Sequence, residues 1–415
     1  MTMSKKVCRS GNILIVLDIL ERGGATRLNQ EIISTLNDMG WKVSVLSGVV
    51  QDENPPFKEF NDVSLHHYDV RGSSKFWLLI KTIFGSFIGY FKLGLDIRFS
   101  RIILNLPGSS LGIMLNPLSW GIKKIYLFHG ATDLEEMSLK KYDHGDIDKK
   151  TLSLTGFGRL KFLFRIRLNF LIQKFVMKMS SKVIVFSEYS KKLVIRHFGI
   201  NSSKIRKVKA PLSFSLSSNR ISLQKKKEIL ESYNVGSGNH IFLIPSRLEP
   251  RKGIHVFLEA LRYLKKKYKL KFVSILTGDV YDNSYWDSLL KKCKQYKLGR
   301  LVNFADVLER CDLYELYQSV DCVIMPSIDL ETLGLVTIES MFFGCPVIGF
   351  STGGTKEILS KVDNRLLVKK VSPINLASKI MWFMELKQSE KNKLAKKCSE
   401  KVVNLVDSKE IINLF

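Results

Sequence analysis

Cysteine is sparse and dispersed in this chain. Cys8, Cys293, Cys311, Cys322, Cys345 and Cys398 form no CxxC pair and no Cys/His cluster. That argues against a disulfide framework or a zinc module, and for free thiols in a reducing compartment. Low-complexity tracts and internal repeats are missing, which sets aside solenoids and disordered tails. No GxGxxG joins a strand to a helix, so the dinucleotide fingerprint is absent. Long uncharged apolar runs are missing as well. In "FWLLIKTIFGSFIGYFKLGL" (76–95), Lys81 and Lys92 leave only ten uncharged residues between them, too few to span a bilayer. The opening "MTMSKKVCRSGNILIVLDIL" imitates a secretory leader. Asp18, Glu21 and Arg22 follow at once, however, and no small-residue cleavage site appears, so it reads as a first buried strand.

Acids are the other shortage. Asp and Glu number 39 against 65 Lys and Arg, a net charge of +26 with a pI near 9.7. The excess leans to the N-terminal half, where residues 1–212 hold 33 bases and 17 acids. Such a surface attracts nucleic acid, anionic lipid or phosphorylated small molecules, and is silent about fold. The apolar share of 45% and charged share of 25% are those of a globular protein. A length of 415 residues exceeds what one hydrophobic core serves, so two domains are expected.

The alternation of elements supports two domains. "NILIVLD", "WKVSVLSG", "RIILNLPGS", "KKIYLFHGAT" and "SKVIVFSEYS" read as buried parallel strands ending in small or polar residues. Between the first two lies a helix with Leu28, Ile32, Ile33 and Leu36 on one stripe and Gly40 as its stop. A Ser-rich break over 211–220 reads as a linker. A second series follows: "HIFLIPSR", "KFVSILTGD", "LVNFADV", "DCVIMPS" and "PVIGF", with helices such as "GIHVFLEALRYLKKKY" between. The fold class is α/β, two doubly wound domains with boundaries at 1–212 and 213–394. Ligands of such sheets bind at the carboxyl ends of strands, and a cleft between two of them could close on a ligand from both sides.

One further segment stands out. "GRLKFLFRIRLNFLIQKFVMKMSSK" (158–182) carries seven bases and no acid among Leu and Phe. Two readings are open, a helix packed on the sheet with its charges in water, or a basic amphipathic helix at a membrane surface. Both can hold for different faces.

Candidate chemistry centres on "PSIDLETLGLVTIESMFFGCPVIGF", which sets Glu331 and Glu339 eight positions apart around Gly334. The loop-to-helix step at Gly334 offers free backbone N–H groups at a strand's carboxyl end. Glu331 hangs at that mouth, while Glu339 lies in apolar company and needs hydrogen-bond donors, which ligand hydroxyls could supply. A pair of surface acids is the bland alternative. "PSRLEPRKG" places Arg247 after a strand and Lys252 before a helix, a forked guanidinium and a point-charge ammonium suited to a diphosphate. Solvated loop charges are the alternative there. Gly23 and Gly24 in "ERGGATR" would let a phosphate or sugar approach the backbone, a weak signal alone. His129 ends a strand and could bond a sugar hydroxyl, although a lone histidine is more often structural. Gly353 and Gly354 read as a simple turn, with anion binding or loop closure as the alternative.

In this order the fragments resemble glycosyltransferase family 4, the retaining nucleotide-sugar enzymes with the GT-B fold of two Rossmann-like domains facing across a cleft. The resemblance spans most of the chain and is strongest over 241–358, in "PSRLEPRKG", "TGD", "VNFADVLERCDLYELYQSVDCVIMPS", Glu331-x7-Glu339 and "GCPVIGFSTGGTKEI". "HG" at 129–130 and "VFSEYSKKLVIRHFG" match more loosely. It implies that Arg247 and Lys252 hold the donor diphosphate and that Glu339 bonds the ribose. Glu331 contacts the donor sugar, with Leu333, Gly334 and Leu335 nearby. Gly24 lets its loop approach the donor, and His129 touches the transferred sugar. It implies no bound metal and no cofactor, and no DxD spacing stands near the donor site. It also implies a final helix, 395–415, packed back on the first domain. Thr332-Leu333 stands where the family often has Gly-Phe, which leaves the sugar open, and Ala210-Pro211 replaces its Asn-Gly before the linker.

The expected protein is a cytoplasmic sugar transferase acting on a sugar or lipid-linked acceptor in cell-surface polysaccharide or glycolipid assembly. Residues 158–182 suggest peripheral contact with an anionic membrane on its inner face. The rivals are a sugar-nucleotide epimerase of the same architecture and a basic nucleic-acid-binding protein. The aromatics fall in core-like periods rather than along an exposed basic stripe, which disfavours nucleic acid as a partner.

Overall fold

The computed structural model describes residues 11–19, 23–49, 63–71, 75–141, 156–212, 221–233, 235–236, 238–267 and 272–414. The chain divides into two compact units, one comprising 1–133, 155–213 and 406–415, the other 134–154 and 214–405.

The first unit runs β1 (Asn12–Ile19), α1 (Gly24–Asp38), β2 (Lys42–Val49), β3 (Val63–Asp69), α2 (Lys75–Asp96), β4 (Phe99–Leu104), α3 (Pro107–Leu115), β5 (Lys123–Leu127), the start of α4 (Thr132–Lys141), which from Leu134 onward belongs to the second unit, α5 (Gly156–Met179), β6 (Lys182–Val185), α6 (Glu188–Phe198) and β7 (Ile205–Lys207). Its strands form one parallel sheet in the order β3-β2-β1-β4-β5-β6-β7. Consecutive residues Ile13 to Val16 are wholly buried. A strand buried on both faces needs cover on both, which right-handed crossovers supply. Strand order reverses between β1 and β4, so the switch point lies at their carboxyl ends. The stripe Leu28, Ile32, Ile33 and Leu36 of α1 is buried as expected.

The second unit runs α7 (Leu223–Ser232), β8 (His240–Pro245), α8 (Ile254–Lys267), β9 (Phe272–Thr277), α9 (Asn283–Gln295), β10 (Val302–Ala305), α10 (Arg310–Ser319), β11 (Cys322–Met325), α11 (Leu335–Phe342), β12 (Val347–Phe350), α12 (Gly353–Val362), β13 (Leu367–Val368), α13 (Pro373–Glu385) and α14 (Gln388–Val402). Its parallel sheet has the order β10-β9-β8-β11-β12-β13, with the switch point between β8 and β11. Ile254, Val256, Phe257, Leu261 and Leu264 of α8 are buried at helical spacing.

Three strands escape sequence reading: β3, β7 and β13. All three are sheet edges. β3 is half exposed with histidines in its middle, and β7 and β13 are three and two residues long, too short for a periodic signal.

The expected domain boundaries need two corrections. Residues 134–154 go with the second unit, where the Ser138 hydroxyl donates to Asp329 at 3.1 Å. The expected final helix over 395–415 does not form as one element on the first domain. α14 belongs to the second unit, where Leu394, Cys398 and Val402 are buried and the helix packs on α11 and α12. Only residues 406–415 join the first unit, through Asp407 N–H to the Ala210 carbonyl at 3.0 Å and Lys209 N–H to Glu410 at 2.9 Å. Of the expected linker over 211–220, residues 213–220 lie outside the described residues.

The expectation for 76–95 also needs restating. Lys81 and Lys92 do not interrupt α2, which is one helix of 22 residues. By length and composition Phe76–Asp96 could cross a membrane. Instead α2 is a layer of the first unit, packed on β2, β3 and α3 with Thr82, Ser86 and Tyr90 buried.

Candidate active site

The two strands flanking the second switch point deliver most of the candidate residues. β8 ends at Pro245, and Arg247 follows. The chain then makes a short 3-10 turn over Pro250–Lys252 and enters α8 through Gly253. Gly253 has φ +68°, and a Cβ there would stand 2.0 Å from the Pro326 carbonyl oxygen. Only glycine lets this loop lie against the one after β11. From β11 the chain runs through Ser327 and Glu331 to Gly334, which precedes α11 with φ +85°.

The close approach of the two loops brings charges together. Lys252 Nζ donates to Glu331 Oε2 at 2.8 Å, and the Ser327 hydroxyl donates to the same oxygen at 3.2 Å. Both side chains of this ion pair are 13% exposed. Burial pushes the Glu331 carboxyl up, but the Lys252 charge and hydrogen bond, the Arg251 charge and the Ser327 hydroxyl outweigh it and hold it below the usual carboxylate range. Glu331 is therefore ionised at neutral pH.

Arg247 connects to this pair indirectly. Its guanidinium stands 3.7 Å from Glu249 Oε1 and lies over the Tyr281 ring at 5.4 Å. The same Glu249 oxygen is 2.8 Å from Arg251 Nε, and Arg251 donates to the Leu330 carbonyl at 3.3 Å. Buried Arg251 and Glu249 thus tie the β8 loop to the β11 loop. Sequence reasoning passed over both, because their charges are indistinguishable in the sequence from the solvated ones beside them.

Leu333 is buried, Gly334 opens α11, and Leu335 is its first residue. Glu339 is buried in the second half of this helix, about 7 Å along the axis from Gly334. The glycines at 353 and 354 close this loop. The Gly354 N–H donates to the Glu331 carbonyl at 2.6 Å, and a Cβ on Gly353 would stand 2.0 Å from that same oxygen.

The remaining candidates belong to the first unit. His129 follows β5, and its Nε2 is 2.7 Å from Asn105 Oδ1, just beyond β4. The amide oxygen accepts, so Nε2 carries the proton. Asn105 also takes a hydrogen bond from Asn29 at 2.9 Å and donates to the Val16 carbonyl at 3.0 Å. Burial lowers the His129 pKa to about 4, leaving a neutral imidazole at pH 7. Gly23 caps α1 in extended backbone, and a Cβ there would meet nothing within 4 Å. Gly24 is the first residue of α1. At the end of β1, Asp18 accepts from Ser109 N–H at 2.7 Å and its hydroxyl at 2.5 Å, capping the start of α3.

Among the described residues, no three His, Cys, Asp or Glu side chains gather as a possible metal site. Cys293, Cys322, Cys345 and Cys398 are buried free thiols and Cys311 is an exposed one.

Known proteins match both halves. The family model for Glycosyltransferase Family 4 covers residues 22–209, and the model for Glycosyl transferases group 1 covers 225–402. An uncharacterized glycosyltransferase of Methanocaldococcus jannaschii is 28% identical over 201 residues, 48% of this chain and 49% of its own length. A putative colanic acid biosynthesis glycosyltransferase of Escherichia coli is 25% identical over 166 residues, 38% of this chain and 39% of its own. The matched stretches thus span half or less of these curated relatives. The structure of Anabaena HepE in complex with UDP and glucose superposes with a TM-score of 0.74 at 18% identity, over 97% of this chain and 98% of that one. The fold is GT-B. The chain belongs to the glycosyltransferases of the family 4 type.

Proposed function

We propose that the protein transfers a sugar from a nucleoside diphosphate donor to an acceptor hydroxyl, with retention at the anomeric carbon and without a metal. The observation that carries this reading is the Lys252–Glu331 ion pair, set with Arg247 and Arg251 on the two strands that flank a switch point. A diphosphate arriving there meets a forked guanidinium, an ammonium and the N-terminus of α11. It competes with Glu331 for Lys252, and the released carboxylate accepts hydrogen bonds from donor-sugar hydroxyls. Leu333, Gly334 and Leu335 supply backbone groups at that mouth, and Glu339 holds the ribose.

Because the Arg and Lys cations and the helix end neutralise the leaving diphosphate, the transfer needs no metal ion. The departing phosphate helps to take the acceptor's proton on the same face of the sugar. From the first unit, neutral His129 is assigned a hydrogen bond to the transferred sugar rather than an acid role, and Gly23 and Gly24 a close backbone approach. The UDP and glucose in the Anabaena structure support a nucleotide-sugar donor. The Escherichia coli relative's name supports an acceptor in polysaccharide assembly. Basic residues along 158–182 suit a lipid-linked acceptor at the inner face of the cell membrane.

The test is thermal stability against a panel of nucleoside diphosphate sugars. A cognate donor at a hundred times its Kd stabilises by about 2.7 kcal/mol. Arg247→Ala and Glu339→Ala should abolish the shift while the unliganded protein stays folded. Unchanged shifts in both would remove the donor site. Turnover lost to EDTA, or a product of inverted anomeric configuration by NMR, would remove the corresponding part of the mechanism.

A further inference from the structure

The outward face of α2 is apolar and unpartnered among the described residues. Trp77, Phe84, Ile88, Phe91 and Leu95 are each 45–66% exposed. With Lys81 they follow alternating three- and four-residue steps, which lay them along one seam of the helix. The opposite face packs on β2, β3 and α3. There a Cβ on Gly112 of α3 would stand 2.2 Å from the Ile83 carbonyl oxygen, so the two helix backbones touch and α2 is fixed in the layer.

α5 repeats the pattern. Phe162, Ile166, Ile172 and Val176 face inward and are buried, while Leu160, Phe164, Leu171 and Phe175 are 44–66% exposed. The crossovers from β3 through β4 and β5 to β6 all advance in one direction across the sheet. Right-handed connections therefore place α2, α3 and α5 in one layer, and α3 packs against both neighbours. Their outward faces look the same way. The turn after α3 adds exposed Leu118 and Trp120, and Tyr90 of α2 donates to the Leu118 carbonyl at 3.4 Å.

Charge decides the occupant. The exposed bases include Lys81 and Lys92 on α2 and Lys161, Arg167 and Lys178 on α5. α5 has no acid, and α2 has only Asp96, its last residue. A second copy of this face would bring these cations together without partners. An anionic bilayer would accept the apolar side chains below its headgroups and pair the bases at their level.

We infer that the outward face of α2 and α5 is a membrane-docking surface for anionic lipid, with the α2 seam as the inserted part. This rests on the reading of a membrane-facing acceptor above and names the element that reaches the bilayer.

The test is flotation of the full chain with phosphatidylcholine vesicles, alone or with about a third phosphatidylglycerol. The wild type should partition about tenfold more to the anionic vesicles. Phe84→Glu with Ile88→Glu should lower that binding at least tenfold at every salt concentration. Lys161→Glu, Arg167→Glu and Lys178→Glu together should abolish the preference for anionic lipid. Wild-type protein that stays unbound at low salt overturns the inference. So does a wild-type dimer by light scattering that the α2 variant makes monomeric, since the seam would then join two copies. A donor-induced thermal shift retained without vesicle binding removes the docking surface alone. Vesicle binding without any donor shift removes the donor site alone.

Discussion

The two switch points of this chain are built on the same topology and furnished with opposite chemistry. At the carboxyl ends of β8 and β11 stand ions: Arg247, Glu249, Arg251, Lys252 and Glu331, linked in pairs of 2.8–3.7 Å. At the first switch point stand neutral amides: Asn105, just beyond β4, accepts from the uncharged His129 imidazole and from Asn29 of α1. Asp18, at the end of β1, is spent on capping α3. Parallel sheets create a binding position by topology alone. What the position can bind is set by a few side chains beyond the strand ends. The charged end suits a leaving diphosphate, and the amide-and-imidazole end suits hydroxyl groups.

Removing the charge should have the largest effect. Lys252→Ala leaves Glu331 buried without its main partner, and the unliganded protein should lose about 3 kcal/mol together with the whole donor-induced shift. Adding Glu331→Gln should recover about 1 kcal/mol or more, because the stranded charge is gone. If Lys252→Ala melts like the wild type in urea, the ion pair is a solvated surface contact. The same pair fixes an acid limit. Because the folded Glu331 pKa is depressed, its stabilisation is present above about pH 4.5 and is lost as pH falls through the folded value.

The glycine between these loops comes next. Gly253→Ala forces an L side chain into φ +68° with its Cβ 2.0 Å from a carbonyl oxygen, at a cost of about 2 kcal/mol or more. A stable, fully active Gly253→Ala protein would show that the β8 and β11 loops do not need their close approach.

At the neutral switch point the sharper readout is a titration. His129 has a folded pKa lowered to about 4, so stability falls as pH drops from about 6.5 toward 4. Asn105→Asp puts a carboxylate 2.7 Å from Nε2 and should raise that pKa by about one to three units, measured by NMR on the imidazole. The acid-side loss of stability should shrink accordingly. An unmoved histidine would mean that Asn105 does not hold the ring.

The contrast also explains what could be read in advance. The charged site was legible because its residues are close in sequence to strand ends and helix starts: Arg247 just after β8, Lys252 just before α8 and Glu331 about one turn before α11. The apolar runs made those strands visible, being buried on both faces. The edge strands β3, β7 and β13 were not legible, since half-exposed or very short strands carry no burial period. Neither was the Asn29–Asn105–His129 network, whose members lie 24 and 76 residues apart and meet only when β1, β4 and β5 pair. The α2 seam was misread for a related reason: two lysines divide the run in the sequence, while on the helix Trp77, Phe84, Ile88, Phe91 and Leu95 still fall along one seam, with Lys81 among them.

The smallest expected stability change is the most selective for function. Gly23 has extended backbone that any residue adopts, and a Cβ there meets nothing within 4 Å. The fold therefore gives no reason for glycine. Gly23→Ala should change unfolding free energy by less than about 0.5 kcal/mol. Any loss beyond that in donor affinity or turnover must come from a group that approaches the backbone from outside the fold. Comparison with Gly253→Ala separates the two uses of glycine in this chain, one for internal packing and one for access. If Gly23→Ala leaves donor affinity and kcat/KM at wild-type values, Gly23 has no part in donor binding.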